Sequence, residues 1–436
     1  MHARVRHRRG TAQGEDLRLG HGRRQAHARF RHPSAHHVLP AHRARGTHGG
    51  AHRDREQGRT RYLRRYHGCH LSGSARDGRG APWGTVRLRH RTSRRGGCRT
   101  QPARALRLRR RAVIVRCSTY ETGQVDPHVN LAREECLLDA VEPGQAILYL
   151  WQNERTVVIG RNQNALDECD VVALEAEGGT LARRLSGGGA VYHDLGNLNF
   201  TFLVPTADWN LDLQTKVLTR ALAALGIHAE KGGRNDLSIG GRKFSGHAYY
   251  HRSGKSYHHG TLMVHVDPER LSRYLTVSPL KLGPKGVSSV RSRVMNLVDA
   301  APNLTIGDLK AALAEAFPTV LGARGEVLDG DPIAEEVLAR TAERYRSRAW
   351  VLRDTRVFDI TRQARFSWGT VRLDYSTGQG VICDAALYSD GLEADAIEAI
   401  PAALAGCTLD RVLVQERLGT IGVPEEMARD LAALLA

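Results

Sequence analysis

Residues 183–194, Arg183-Arg184-Leu185-Ser186-Gly187-Gly188-Gly189-Ala190-Val191-Tyr192-His193-Asp194, carry the densest chemistry in the chain. Contiguous glycines let ligand atoms approach the backbone closely and let the chain take positive φ. Main-chain N–H groups turned inward by such a run form a nest for anionic oxygens. The two guanidinium groups add permanent charge and paired donors suited to phosphate or carboxylate. Together they suggest a site for a charged, phosphorylated ligand; the plainer reading is a flexible turn. No Gly-Lys-Ser/Thr follows, and the glycines lack G-x-G-x-x-G spacing, so the segment is neither a Walker loop nor a dinucleotide fingerprint.

Three further segments could serve the same chemistry. Gly233-Arg234-Asn235-Asp236 ends a loop and enters a strand, and an Asp beside phosphate can hold Mg²⁺ through oxygen. Its plainer reading is a turn stabilised by Asn and Asp side chains. In Gly240-Gly241-Arg242-Lys243-Phe244-Ser245-Gly246, an inward Lys243 would offer a compact positive charge to a phosphoryl or carbonyl oxygen. The chain has only seven lysines, which singles Lys243 out; a solvated strand lysine is the alternative. Lys285-Gly286-Val287-Ser288-Ser289-Val290-Arg291-Ser292-Arg293 suits an anion-covering loop, or a plain surface loop.

The hydrophobic pattern places these segments on a mixed scaffold. Residues 130–141 read as an amphipathic helix with Leu131, Leu137, Leu138 and Val141 inward. Segments 146–151 and 156–159 read as strands joined in a hairpin, and 168–177 as a helix ended by Gly178-Gly179. Strands are expected at 181–185, 190–193 and 198–204, and a helix at 211–225 capped by Gly226. Gly240-Gly241 predicts a two-residue hairpin turn between strands 236–239 and 242–250. Ser253-Gly254 turns into a strand at 257–266, and helices follow at 268–275 and 306–317. A charged helix, 332–348, reads as a connector. Strands at 365–367, 370–375 and 381–388, then helices at 393–404, 409–415 and 424–435, form a separate small domain. Strands mixed with flanking helices give an α+β class with a largely antiparallel sheet.

Charge is distributed unevenly. The chain of 436 residues has a formal charge of +18, but residues 1–111 hold 30 Arg, no Lys and 5 acidic residues, a net +25. The remainder has 34 basic and 41 acidic residues, a net −7, and gives no support to nucleic-acid binding. The Arg/His/Gly-rich leader lacks apolar periodicity, so disorder is expected. Translation of GC-rich upstream DNA explains Arg without Lys best, with a start at Val113 or Val115. The alternatives are a nucleic-acid or membrane arm and a transit peptide. Seven scattered cysteines with no C-x-x-C pair argue against a disulfide framework or zinc site and fit a reducing cytoplasm. His36-His37 and His258-His259 lack companion ligands at metal spacing, and no apolar run is long enough to span a membrane.

Residues 183–194, 233–236, 242–246, 258–262 and 285–296, together with 130–136 and 157–164, follow the order and approximate spacing of lipoate–protein ligase A. The chain resembles that family from about residue 115 to its C-terminus, including Phe366-Ser367-Trp368-Gly369 of the small domain. The resemblance implies a biotin/lipoate-ligase-like catalytic domain over 112–330, a helical connector over 331–349 and an accessory domain over 350–436. It also implies a two-step reaction: lipoate and Mg·ATP give lipoyl-AMP, which a lysine of an acceptor lipoyl domain then attacks. By family position, Lys243 bridges the lipoyl carbonyl and the α-phosphate. Arg184 and the backbone of Gly189, Ala190, Val191 and Tyr192, with Gly187 and Gly188 of the same loop, hold the nucleotide. Asn235 and Asp236 contact phosphate, with Asp236 as the Mg²⁺ ligand. Ser186, His259, Gly260 and Lys285 face the substrate. Val191, Phe200 and the strand after His259 are candidates to line an apolar slot for the dithiolane tail, with core packing as the equal alternative. The hairpin at 238–241 is shorter than in close members of the family.

The implied partners are lipoyl domains of 2-oxoacid dehydrogenase E2 subunits and the glycine-cleavage H protein, acting with a cytoplasmic monomer. Rivals are an ATP-independent octanoyl or lipoyl transferase and a biotin–protein ligase. The transferase needs a cysteine nucleophile, and no Cys lies between Cys169 and Cys383.

Overall fold

The computed structural model describes residues 113–233, 235–276, 294–353 and 356–436. The basic leader, Arg234, Lys285 and most of the loop that contains it lie outside the described residues. All described residues fall within one unit, Pro102–Ala436.

The strands of the first domain are β1 (Arg116–Glu121), β2 (Gln145–Trp151), β3 (Thr156–Ile159), β4 (Thr180–Arg183), β5 (Val191–His193), β6 (Asn197–Pro205), β7 (Glu230–Gly232), β8 (Asp236–Ile239), β9 (Arg242–Arg252), β10 (Lys255–Met263) and β11 (Arg324–Val327). Its helices are α1 (Pro127–Ala140), α2 (Ala165–Glu168), α3 (Val171–Ala176), α4 (Leu211–Ala224), α5 (Pro268–Tyr274), α6 (Ile306–Leu321), α7 (Glu335–Arg346) and α8 (Arg348–Val351). Eight strands form one sheet in the order β11-β1-β2-β6-β10-β9-β8-β7. β1 runs parallel to β11 and β2, and every other neighbouring pair is antiparallel. The α+β class with a largely antiparallel sheet is therefore observed.

One expected pairing is wrong. β2 and β3 both form, but not as a hairpin: β2 joins the large sheet, while β3 is the centre of a second sheet ordered β4-β3-β5. Two apolar strands with a short polar link look like a hairpin locally. Here each finds a better apolar face elsewhere, β3 against Leu181, Tyr192 and Leu174. The helix expected over 168–177 is also split, with an extended Cys169 and a non-helical Asp170 between α2 and α3.

Alternation along β6 sets the layers. Leu198, Phe200, Phe202 and Val204 pack with Val217, Leu218 and Leu222 of α4 and with Leu309, Leu313 and Phe317 of α6. Truncating one of these rings would cost about 3–5 kcal/mol. The opposite face, with Tyr149, Trp151 and Leu203, lies against Leu131, Leu137 and Leu138 of α1. The functional cavity opens on this second face.

α1 starts at a sequence-encoded cap: Asp126 accepts a bond from the His128 amide and Pro127 occupies the first turn. Its inward leucines were legible, but Glu134 and Glu135 are buried as well. Glu135 accepts from Arg252 (2.8 Å), Tyr345 (2.8 Å) and Arg344, which ties α1 to β9 and α7. Leu338, Ala342 and Tyr345 of α7 share the core of Leu131 and Tyr149. The charged helix is thus an integral layer of the first domain as well as a link to the second.

The C-terminal domain has an antiparallel sheet of β12 (Ile360–Arg365), β13 (Thr370–Gly378) and β14 (Val381–Ser389). α9 (Ala394–Leu404), α10 (Arg411–Thr420) and α11 (Glu425–Leu435) cover it. Val371, Leu373, Ile382, Ile397, Leu404 and Leu431 belong to its own core.

Candidate active site

A β-bulge aims the key lysine. Gly240 (φ 55°) and Gly241 (φ 76°) make the expected tight turn between β8 and β9, where two positive φ values favour glycine. The register then shifts: Ser238 pairs with Lys243, but Leu237 pairs with Ser245. The extra residue, Phe244, is buried in the α4–α6 core. Unbroken alternation from Gly246 would put Phe244 on the cavity face, so the bulge brings Lys243 there instead. Lys243 Nζ lies 2.7 Å from Asp236 Oδ1. A Cβ on Gly246 would come within 3.0 Å of that ammonium, so the glycine leaves room for the lysine to lie over the strand.

The glycine run forms the facing wall, and its two arginines have structural partners. Arg184 donates to Ser186 Oγ (3.0 Å), Val158 O (3.1 Å), Gly187 O (2.7 Å) and Gly189 O (2.8 Å). It therefore sets the loop's shape from beneath, rather than reaching out with a free fork. Arg183 is fully buried and caps the carbonyls of Gly160, Arg161, Gln163, Trp350 and Val351. Burial pulls Arg184 down to about 10 and Arg183 to about 9, so both remain charged at neutral pH.

Between these walls is an open cavity. Of the residues singled out in the sequence, Arg184, Gly188, Gly189, Ala190, Val191, Asn235, Lys243, His259 and Gly260 line it. Several expected residues lie elsewhere. The Tyr192 side chain, as distinct from the backbone expected to hold the nucleotide, turns into the β3 core beside Tyr274, because side chains alternate along β5. Gly187 faces the C-terminal domain, and a Cβ there would overlap the Gly391 carbonyl oxygen. Phe200 belongs to the opposite core. Asp236 borders a small neighbouring hollow, where it pairs with Lys243. Among the described residues no group of three or more His, Cys, Asp or Glu is arranged to hold a metal ion.

Ser186 is completely buried and bonded to His259. Ser186 Oγ lies 2.7 Å from His259 Nε2, His259 Nδ1 lies 2.8 Å from Glu134 Oε1, and Thr201 donates to that same oxygen at 2.7 Å. Trp151 Nε1 in turn donates to Thr201 Oγ1 at 3.1 Å. The chain of bonds joins α1, β2, β6, β10 and the glycine loop beneath the cavity.

Sequence reasoning passed over Leu131, Trp151, Val158, His193, Asn199 and His247 as lining residues, while Thr261 lies on the strand after His259 that it did name. A signal existed for Asn199. Asn197, Asn199 and Thr201 alternate with leucine and phenylalanine in a strand that is almost wholly buried, which is how a polar cavity wall reads in sequence. His193 is buried with its basicity lowered to about 3 by desolvation and by the charge of Arg184, so it is neutral.

The accessory domain closes over the loop's outer edge. Gly188 N donates to Gly391 O (3.1 Å), Ser389 N to Asn162 O (2.9 Å) and Asn162 Nδ2 to Ala394 O (2.6 Å). Arg161 pairs with Asp395 (2.7 Å) and with Glu398.

Residues 126–318 match the lipoyl protein ligase A/B catalytic domain, and residues 355–434 match the bacterial lipoate protein ligase C-terminus. The chain belongs to the lipoate–protein ligase family and is an enzyme of that family. It is similar to P. falciparum LipL1, solved in complex with lipoate: 25% identity, TM-score 0.64, covering 73% of this chain and 98% of that one. A bipartite lipoate protein ligase from Thermoplasma acidophilum, reported with its E2 lipoyl domain, is 29% identical with TM-score 0.49, covering 57% of this chain and 100% of that one. A lipoate-protein ligase A bound with ATP is 28% identical with TM-score 0.48, covering 55% and 98%.

Proposed function

We propose that this chain is an ATP-dependent lipoate–protein ligase. Lipoate carboxylate attacks the α-phosphate of ATP, forming lipoyl-AMP and releasing pyrophosphate. The ε-amine of a lysine on a lipoyl domain then attacks the acyl carbon; an amide forms, AMP leaves and the amine proton is lost. The acceptors are lipoyl domains of 2-oxoacid dehydrogenase E2 subunits and the glycine-cleavage H protein.

The observation that carries this reading is Lys243, re-aimed by a bulge onto the cavity face opposite a glycine loop. Bringing carboxylate and phosphate together opposes like charges, and a fixed ammonium beside backbone N–H donors offsets that repulsion. Lys243 would stay on the phosphoryl oxygen and the acyl carbonyl through both steps. Gly188, Gly189 and Ala190 would supply the close backbone approach, with Arg184 holding their shape.

Mg²⁺ fits only as a partner of the triphosphate. Such an ion takes one or two protein carboxylates and completes its shell with phosphate and water. Asp236 would be the carboxylate, giving up part of its pairing with Lys243, and the ion would neutralise phosphate charge.

A cysteine-based transferase lacks its nucleophile here. Among the described residues no cysteine lines the cavity, and burial pushes the thiols of Cys117 and Cys169 up to about 12. The test is ATP-dependent lipoylation of purified lipoyl domains, read as pyrophosphate release and mass gain. The wild type should be active and Lys243→Ala depressed at least about a hundredfold. Equal rates, or transfer from an acyl carrier without ATP, would overturn the reading.

A further inference from the structure

One end of the cavity carries a hydrogen-bond donor that no group among the described residues satisfies. His193 lines the cavity, is 3% exposed, and has no partner for Nε2 among those residues. A bond network fixes its tautomer. Asn130 Nδ2 donates to the carbonyls of Gln124 and Gln152 (each 2.9 Å), which settles which end of that amide is nitrogen. The same nitrogen meets Asn153 Oδ1 at 3.1 Å, so Asn153 Nδ2 faces His193 Nδ1, also at 3.1 Å. An amide N–H can only donate, so Nδ1 accepts and the proton of the neutral ring sits on Nε2. Asn199, 2% exposed, shares one amide atom with Asn197 and leaves the other unpaired beside the same end.

The spacing along the sheet says what reaches these groups. Asn199 stands opposite Trp151 on one side and Thr261 on the other, and Thr261 Oγ1 accepts from Gly246 N beneath Lys243. Asn199 and the lysine end are thus two strand spacings apart, roughly 10 Å. That separation matches an extended eight-carbon acid with its carboxylate at Lys243 and its tail at His193. A saturated tail would leave the buried N–H unpaired, which costs free energy. A disulfide sulfur accepts weakly from N–H and is favoured against an aromatic ring such as Trp151.

We propose that His193, with Asn199, is the specificity-determining group that makes this enzyme prefer the dithiolane of lipoate to the methyl end of octanoate. The proposal rests on the ligase reading above, but it concerns binding and can be tested apart from it.

The measurement is equilibrium binding of lipoate and of octanoate to the full chain without ATP, followed by pyrophosphate release with each acid. Wild type should bind lipoate roughly fivefold or more tightly than octanoate. His193→Phe should erase the difference by weakening lipoate while leaving or improving octanoate, and His193→Gln, which keeps an N–H, should retain much of it. Asn199→Leu gives a second route if His193→Phe does not fold, with thermal melts as the check. Equal wild-type affinities, or an equal loss for both acids in the folded variants, would mean that the N–H only holds water or supports the wall, and would overturn the proposal. A preference in binding without pyrophosphate release from either acid would sink the ligase reading alone.

Discussion

Lys243 Nζ rests 2.7 Å from Asp236 Oδ1 across a bulged pair of strands, with Lys243 lining the cavity and Asp236 the hollow beside it. The pair is partly exposed, so it contributes little to stability. Asp236→Asn should change the free energy of urea unfolding by less than about 1 kcal/mol, yet slow pyrophosphate release by tenfold or more, because the ammonium loses its anchor. A folded variant of full activity would show that Asp236 neither positions Lys243 nor serves the phosphates.

Arg184 gives the opposite pattern. Four groups in the loop and in β3 accept from one buried fork, and an ammonium cannot reproduce that planar set of donors. Arg184→Lys should lose at least about 2 kcal/mol in equilibrium unfolding, with Arg184→Met worse. A change under about 0.5 kcal/mol would mean that the loop holds its shape without this scaffold.

The glycines of the run should differ from one another. A methyl group on Gly187 would run into the Gly391 carbonyl, whereas one on Gly189 meets nothing within 4 Å. Gly187→Ala should therefore loosen the docked C-terminal domain, seen as faster proteolysis between β11 and β12 at unchanged first-domain stability. Gly189→Ala should not. Equal susceptibility of the two variants would argue that the domain contact does not depend on that close approach.

Buried histidines should make the fold acid-sensitive. Desolvation lowers His193 and His247 to about 3, and it lowers His258 as well. The unfolded chain binds these protons near pH 6.5 and the folded one does not. Their stabilisation is complete above that pH and is lost progressively as pH falls towards 3. The slope is about 1.4 kcal/mol per pH unit for each proton taken up on unfolding. Urea unfolding between pH 7 and 5 should show this decline, and His258→Phe should flatten it by one proton if the variant folds. A midpoint independent of pH would contradict the buried neutral state.

Much of this arrangement could be read in advance, for identifiable reasons. The Gly240-Gly241 turn, the Gly226 helix stop and the leucines of α1 follow from local chemistry, and each is observed. Lys243 could be suspected from composition, but not its direction, because a bulge follows from two strands' registers and not from one strand's residues. The structural partners of Arg184 were hidden for a similar reason. Adjacent guanidinium groups suggest a free anion clamp until the loop carbonyls that occupy them are known. Trp151 was assigned to a local hairpin, and so was never placed beside Asn199, far away in the chain.

Arg183 draws a boundary that family resemblance does not. The catalytic-domain match stops at residue 318, but this buried cation is neutralised in part by the carbonyls of Trp350 and Val351. A fragment cut anywhere between would strand a desolvated charge at the root of the glycine loop. The smallest autonomous catalytic piece of this enzyme therefore runs past α8, and a split version would have to supply that short helix in trans.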